Sequence, residues 1–347
     1  MRSGKLGFGL VGLGMGGETH APQIKELKEG ELVAVYGRNE EKAKMFAEKF
    51  GIRRWYSDYR RMLDDKDIDI VNILTPNGLH LDFAVLAAEA GKHVIVEKPL
   101  EITLERADAI INACRKNKVK LSVVYQMRFG NAARKIKQAI DSGVFGKMML
   151  CDVYDKEFRT SEYYANDYWR GTKDYEGGGS LMTQTTHLID LIQWFMGPVS
   201  KVFAKKTTAR HQIEVEDLAV AIITFQNGAL GVIESSTAIH PAFKHRVEVH
   251  GQNGSAMMNG EYDEMLLWDV MGSDEKVDAP EGFKFTDIVD PHLFPVIRHR
   301  YQLQDMIDAI KEDREPLVNG EEGKKACVIL HAIYESANLG KEVVVKM

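Results

Sequence analysis

The sequence predicts a doubly wound α/β domain over residues 1–126, followed by an α+β domain over residues 127–347 on a large, mostly antiparallel open sheet. Three observations predict it. Continuous apolar runs alternate with amphipathic stretches through the first 125 residues, as parallel strands covered on both faces require. The first of these runs ends in a glycine cluster. Beyond residue 126 the pattern turns to period-two strands joined by Asn-Gly turns.

The elements follow in order. Leu6–Val11 is the first strand and Glu31–Tyr36 the second. Residues 40–51 (EEKAKMFAEKFG) read as a helix closed by Gly51 as its C-cap. Ile68–Leu74 is a third strand, and residues 79–92 carry apolar side chains at helical spacing. His93–Val96 is a strand ending at Glu97-Lys98-Pro99. Thr103 caps a helix through Asn117, and Val119–Tyr125 is the next strand. A helix over Ala132–Ser142 opens the second domain. Ala219–Phe225 and Leu230–Ser235 form a hairpin around Gln226-Asn227-Gly228, because Asn-Gly accepts positive φ. Arg246–His250 and Ser255–Asn259 pair in the same way. Helices over Tyr301–Glu312 and Glu322–Leu339 end the chain and are expected to pack back on the first domain.

Composition narrows the function. A chain of 347 residues suits two domains, and 44% hydrophobic with 28% charged residues is a globular balance. A net charge of -6 argues against a nucleic-acid binder and against a basic membrane-surface protein. Cys114, Cys151 and Cys327 lie far apart, which points away from a disulfide scaffold or zinc ribbon and towards a reducing compartment. The glycine-interrupted opening reads as a buried strand and not as a secretory signal. No apolar run approaches the ~18 residues of a membrane span. A cytoplasmic protein with no membrane partner is expected.

Gly12-Leu13-Gly14-Met15-Gly16-Gly17 has the GxGxxG spacing directly after an apolar strand. The first glycine makes a tight turn, the second admits a pyrophosphate, and the third lets helix and strand pack closely. The anion then sits at a helix N-terminus. Gly12, Gly14, Met15, Gly16 and Gly17 are therefore expected to hold a dinucleotide in a Rossmann domain. The second strand ends at Gly37-Arg38-Asn39, where an NAD site usually carries Asp or Glu. Arg38 suits a 2′-phosphate, which favours NADP with NAD as the alternative. Solvent exposure of Arg38 without a ligand is the competing reading.

Lys98 stands where a parallel strand runs out, the edge at which ligands gather in such sheets. Near a cationic nicotinamide its charged form is disfavoured, so it can take a proton from an alcohol or polarise a carbonyl. Pro99 can fix the turn that aims it. Here Thr75-Pro76-Asn77-Gly78-Leu79-His80 and Ala90-Gly91-Lys92-His93-Val94-Ile95-Val96-Glu97-Lys98-Pro99 resemble the Gfo/Idh/MocA oxidoreductases, which include glucose–fructose oxidoreductase and inositol dehydrogenase. The resemblance resumes at Trp169-Arg170-Gly171, at Gly177–Leu181, at His187-Leu188-Ile189-Asp190 and at Gly320–Ala326. It implies hydride transfer between a nicotinamide and a sugar or cyclitol hydroxyl. By motif position it makes Lys98 the active-site lysine, with Thr75, Pro76, Asn77, His80 and Glu97 lining the cofactor site.

Gly177–Ser180 should open a helix to about Met196. Its periodicity puts Leu181, Leu188, Leu191, Ile192, Phe195 and Met196 on one face and Thr183, His187 and Asp190 on the other. The second face also carries Gln184, Thr186 and Gln193 but no Lys, Arg or Glu, which suits a polar cavity. His187 can exchange a proton with a substrate hydroxyl there; a histidine bonded inside an interface is the competing reading. The resemblance favours the catalytic one. Many relatives place Asp four residues before this histidine, where Thr183 stands, and others carry an uncharged residue there. The proton path is therefore expected through Lys98 or His187, with Thr183 as a hydrogen-bonding relay.

Tyr163, Tyr164, Tyr168, Trp169 and Tyr175 cluster with Arg170 and Lys173, and Gln126 and Arg128 follow another parallel strand. Aromatic faces stack on sugars and arginines bind anions, so Gln126, Trp169 and Arg170 are expected at the cofactor and Arg128, Trp169 and Thr183 at the substrate. Packing under a loop or at a subunit contact remains open. The eleven histidines show no metal spacing, and no metal is expected. The expected function is an NAD(P)-dependent dehydrogenase acting on a secondary alcohol of a sugar, nucleotide sugar or cyclitol. A catalytically silent redox sensor and a reductase of non-carbohydrate carbonyls are the alternatives. A large apolar sheet face is not left wet, so a homodimer or homotetramer is expected, as the resemblance also implies.

Overall fold

The structure is a computed structural model that describes residues 4–243, 245–260, 262–278 and 296–346. It divides into two compact units: Met1–Gln126 with Val296–Lys324, and Met127–Pro295 with Lys325–Met347.

The first unit begins with β1 (Leu6–Val11), α1 (Met15–Lys25), β2 (Gly30–Tyr36), α2 (Glu40–Phe50), β3 (Arg54–Tyr56) and α3 (Tyr59–Leu63). It continues with β4 (Ile70–Ile73), α4 (His80–Glu89), β5 (His93–Val96), α5 (Leu104–Lys116) and β6 (Leu121–Val123). The strands form one parallel sheet in the order β3-β2-β1-β4-β5-β6. The chain runs outward from β1 in one direction and from β4 in the other, so the switch point lies between these two strands. Local signals set the helices. Gly51 ends α2 in the left-handed conformation, and Thr103 accepts from Arg106 N at the start of α5. The expected strand Val119–Tyr125 is regular only over β6, because the chain turns at once into a 3₁₀ segment at Gln126–Phe129. Phe8, Leu10, Ile24, Val35, Ile70 and Ile95 form the core, and Leu303, Met306 and Ile307 of a later helix (α9 below) join it.

The second unit carries α6 (Asn131–Asp141), β7 (Met148–Lys156), α7 (Ser161–Ala165) and a π turn at Leu181–Thr185 that leads into α8 (Thr186–Met196). Then come β8 (Val199–Thr207), β9 (Leu218–Phe225), β10 (Leu230–Ser236), β11 (Arg246–Gly251), β12 (Gly254–Asn259) and β13 (Glu264–Val270). After α9 (Ile297–Lys311), α10 (Gly320–Leu339) runs from the first unit into the second, and β14 (Val343–Val344) ends the chain. The eight-stranded sheet has the order β13-β12-β11-β7-β10-β9-β8-β14, and β7–β10 is its parallel pair. One face, with Cys151, Val153, Ala221, Ile223, Ile233 and Val247, is buried, and α8 packs against β7. On the opposite face Phe203, Val220, Ile222 and Leu230 are 38–53% exposed. Strand alternation divides the two sets.

Candidate active site

In the first unit the expected residues collect at the carboxyl edge of the parallel sheet. Gly12 turns at φ +104, and a Cβ there would lie 2.5 Å from Leu74 O; a Cβ on Gly17 would lie 2.5 Å from Gly12 O. Only glycine permits this turn and this approach of α1 to β1. A Cβ on Gly14, by contrast, meets open space. Gly14 is the N-cap of α1 and offers no side-chain cap, so the amides of Met15, Gly16 and Gly17 open the helix towards that space. Thr75 follows β4 beside this turn, and its buried Oγ1 has no hydrogen-bond partner among the described residues. Gln126 Oε1, after β6, is in the same condition. A cradle of amides with orphaned polar atoms at its border fits a pyrophosphate and the groups attached to it.

Gly37 lets Leu13 pack closely at the end of β2, and Arg38 beyond it is exposed. Asn39 accepts from Lys42 N at 2.9 Å and caps α2. Pro76 and Asn77 open a short 3₁₀ turn after Thr75. Lys98 is half-buried at the end of β5, and its bond to Pro99 is cis.

One expected lining residue acts from behind. His80 is fully enclosed: Nδ1 lies 3.0 Å from Pro99 O and Nε2 lies 3.1 Å from Thr75 O. It braces the ends of β4 and β5, where the resemblance had placed it against the cofactor. Glu97, half-buried, is also engaged by hydrogen bonds. His20 Nε2 lies 3.0 Å from its Oε1, and Lys98 N donates to Oε2 at 3.1 Å. Asn72 Nδ2 lies 2.9 Å from His20 Nδ1, so His20 donates to Glu97 and accepts from Asn72. Burial pushes the Glu97 carboxyl up, but His20, Lys98 and His299 outweigh it and hold it at about 2. His299 packs edge-on against His20 at 5.0 Å, and burial holds it at about 3, so it is neutral. Sequence reasoning missed His20, Asn72 and His299. Only the position of His20 one turn beyond the glycine loop hinted at it.

In the second unit Arg128 departs from its expected role. It is 1% exposed; Nε and one Nη each donate to Asp190 at 2.7 Å, and its guanidinium lies over the Trp194 ring. A fork spent on a buried carboxylate fastens the 3₁₀ segment to α8 and is no substrate ligand. Thr186, Asp190 and Gln193 are likewise buried, so the expected polar face is narrower than its sequence pattern. Thr183, Gln184 and His187 remain half-buried. The π turn shifts the helical register between Thr183 and His187.

Arg170 donates to Asp167 at 2.7 Å and to the Tyr163 hydroxyl, and it stacks 4.1 Å from the Tyr163 ring and 4.5 Å from Trp169. Glu176, which sequence reasoning passed over, is buried beside them. Thr183 Oγ1 donates to its Oε1 at 2.7 Å, and Gly171 N donates to Oε2. Burial pushes this carboxyl up to about 7 against the pull of Thr183, Gly171 and Arg170. Glu216 accepts from Gly179 N and Leu181 N and so caps the π turn.

Among the described residues three groups bring His, Asp and Glu ligand atoms within 4.8 Å, none of them visible as sequence spacing: His20–Glu97–His299, Asp152–Glu248–His250 and Asp155–Glu157–His245. The first is held by the hydrogen bonds above. In the third, Arg159 pairs with Glu157 and Thr185 donates to Asp155.

Residues 6–125 match an oxidoreductase family with an NAD-binding Rossmann fold, and residues 133–257 match the GFO/IDH/MocA C-terminal domain. The chain is 28% identical over 339 residues to myo-inositol 2-dehydrogenase of Thermotoga maritima, covering 95% of each chain. The crystal structure of the WlbA dehydrogenase from Bordetella pertussis, in complex with NADH and UDP-GlcNAcA, is 30% identical with a TM-score of 0.84 over 99% of each chain. A levoglucosan dehydrogenase in complex with NADH and L-sorbose is 27% identical with a TM-score of 0.88 over 99% of each chain. Two matched domains in sequence order and full-length similarity in structure place this chain in the Gfo/Idh/MocA family of oxidoreductases, as a dehydrogenase acting on CH–OH groups.

Proposed function

We propose that the protein reversibly oxidises a secondary alcohol of a sugar, nucleotide sugar or cyclitol, with NADP preferred over NAD. The observation that carries this reading is the carboxyl edge of the parallel sheet, where the glycine cradle, Thr75 and Lys98 end β1, β4 and β5 together. The myo-inositol, levoglucosan and UDP-GlcNAcA relatives support the substrate class. When bound, the nicotinamide supplies the hydride acceptor. The amides of α1 hold the pyrophosphate, and Thr75 and Gln126 orient the groups at its border. Arg38 takes the 2′-phosphate. Lys98 and His187 bind the hydroxyl and assist the departure of its proton, and Trp169 with Arg170 shapes the sugar side. His20, Glu97 and His80 keep Lys98 in place.

The exposed Phe203, Val220, Ile222 and Leu230 make an apolar patch on the second unit's sheet, which a second copy of this chain would cover in a dimer or tetramer. Three free, buried cysteines suit a cytoplasmic protein, and among the described residues no helix is long and apolar enough to cross a membrane.

Cofactor reduction across a panel of sugars, uronic acids, nucleotide sugars and cyclitols tests the reading. Turnover on at least one, lost in Lys98→Met with cofactor affinity retained, is expected. Tight cofactor binding with no turnover on any would favour a sensor, and activity confined to small carbonyls would favour a non-carbohydrate reductase.

A further inference from the structure

We propose that Glu176 is a positioning residue for the reaction, acting on the substrate alcohol through the hydroxyl of Thr183; this rests on the dehydrogenase reading above. Glu176 lies just before the glycine run, buried, with one oxygen held by Gly171 N and the other by Thr183 Oγ1 at 2.7 Å. A threonine hydroxyl has one proton. That of Thr183 points at Glu176, so towards a ligand its oxygen presents lone pairs and accepts. Thr183 stays half-buried in the π turn that leads directly into α8 and His187. A substrate hydroxyl donating to Thr183 thereby reaches a carboxylate it does not touch.

The step balances. The alcohol C–H bond breaks and its electron pair passes with the hydrogen to the bound nicotinamide. The O–H bond breaks as C=O forms. The released proton bonds to Thr183 Oγ while the proton Thr183 held bonds to Glu176. The alcohol is oxidised, the nicotinamide is reduced, and the proton resides on Glu176; reduction of the carbonyl runs the same path backwards.

The charged and titratable groups facing Glu176 include Arg170, Tyr163, Tyr164, Glu216 and Tyr334. Arg170 is shared with Asp167 and Glu216 is a like charge, so neither fixes the carboxyl as an anion. Burial raises it to about 7, where it can accept and release a proton near neutrality.

The test uses full-length wild type, E176Q, T183V and T183S, with steady-state pH profiles on an accepted alcohol and a ¹³C titration of labelled glutamate carboxyls. The wild type should show a limb rising through about pH 7 and one glutamate titrating near that value. E176Q should lose that resonance and the limb, with kcat down about 100-fold at pH 8 and KM little changed. T183V should lose the limb and move the carboxyl midpoint upwards, since the Thr183 bond favours the anion, and T183S should restore both. An unchanged limb in E176Q, or a Glu176 carboxyl titrating in the ordinary range, overturns the proposal alone. No turnover by the wild type on any alcohol removes the dehydrogenase reading, and the proposal's substrate with it.

Discussion

Removing Asp190 should unfold the second unit more readily while leaving the site's chemistry recognisable. Asp190 is fully buried and Arg128 is 1% exposed, and their two hydrogen bonds of 2.7 Å form a bidentate fork. In Asp190→Ala the guanidinium stays buried and loses its counter-charge. Breaking one partner of a buried pair costs about 3–5 kcal/mol. At roughly 2–4 °C per kcal/mol for a unit of this size, the melting midpoint should fall by about 6–20 °C. Calorimetry of wild type and variant reads this directly. The double variant Arg128→Met with Asp190→Leu should recover most of the loss, because two apolar side chains leave no orphaned charge. A midpoint shift below about 2 °C, with KM raised tenfold by the single variant, would return Arg128 to the substrate and refute the internal-fastener reading.

Gly12→Ala forces a Cβ to within 2.5 Å of Leu74 O at φ +104. It should destabilise the first unit by about 1–3 kcal/mol and weaken cofactor binding at least tenfold, followed by quenching of tryptophan fluorescence. Arg38→Ala should weaken NADP about 10- to 100-fold and leave NAD unchanged; equal NADP affinity in the mutant would end the argument from Arg38. The first unit should lose stability as pH falls. His299, held near 3, stays neutral while the unfolded chain takes a proton below about 6.5, and Glu97, held near 2, resists the proton that the unfolded chain takes below about 4.5. Stability therefore drops from about pH 6.5 towards 2, and His299→Phe should flatten the stretch from 6.5 to 4.5; melting curves that coincide for the two proteins there would falsify the assignment.

Much of this was legible in the residues because its causes are local. The Gly51 cap, the Thr103 cap and the turn at Gly228 need only neighbouring atoms, and all three stand where the patterns put them. The glycine loop was readable for the same reason. What escaped was long-range pairing. His20 meets Glu97 across 77 positions and Arg128 meets Asp190 across 62, and no spacing rule joins them. Arg128 was misjudged because an arginine after a parallel strand looks like a ligand group until its partner is known. β7, at the centre of the second sheet, was missed because MMLCDVYDK carries apolar residues on both faces and one aspartate on each, which leaves no period-two contrast. The polar face of α8 was overread because a periodicity reports which residues share a side, not what fills the space beyond them.

Glu97 and Glu176 show why a carboxylate's neighbours matter more than its burial. Both are withdrawn from water, and for both burial is the largest influence, raising the carboxyl. Glu97 is bonded by His20 and Lys98 N and lies beside the Lys98 charge, so its anion is secured, it cannot take a proton near neutrality, and its use is to hold α1 against the strand end that carries Lys98. Glu176 faces an amide, a hydroxyl and an arginine already paired with Asp167. Its anion is the less stable form, so its contribution to stability is present below about pH 4.5 and lost as pH rises through about 7, opposite in sign to Glu97. A group whose folding cost grows at the pH where it would accept a proton is poor scaffolding. Glu176→Gln should accordingly stabilise the second unit at pH 8 and leave it unchanged at pH 4, whereas Glu97→Gln should weaken the first unit at pH 8. Equal effects of both substitutions at pH 8 would show that the two carboxyls do the same structural work, and the assignment of one to holding and the other to proton exchange would fail.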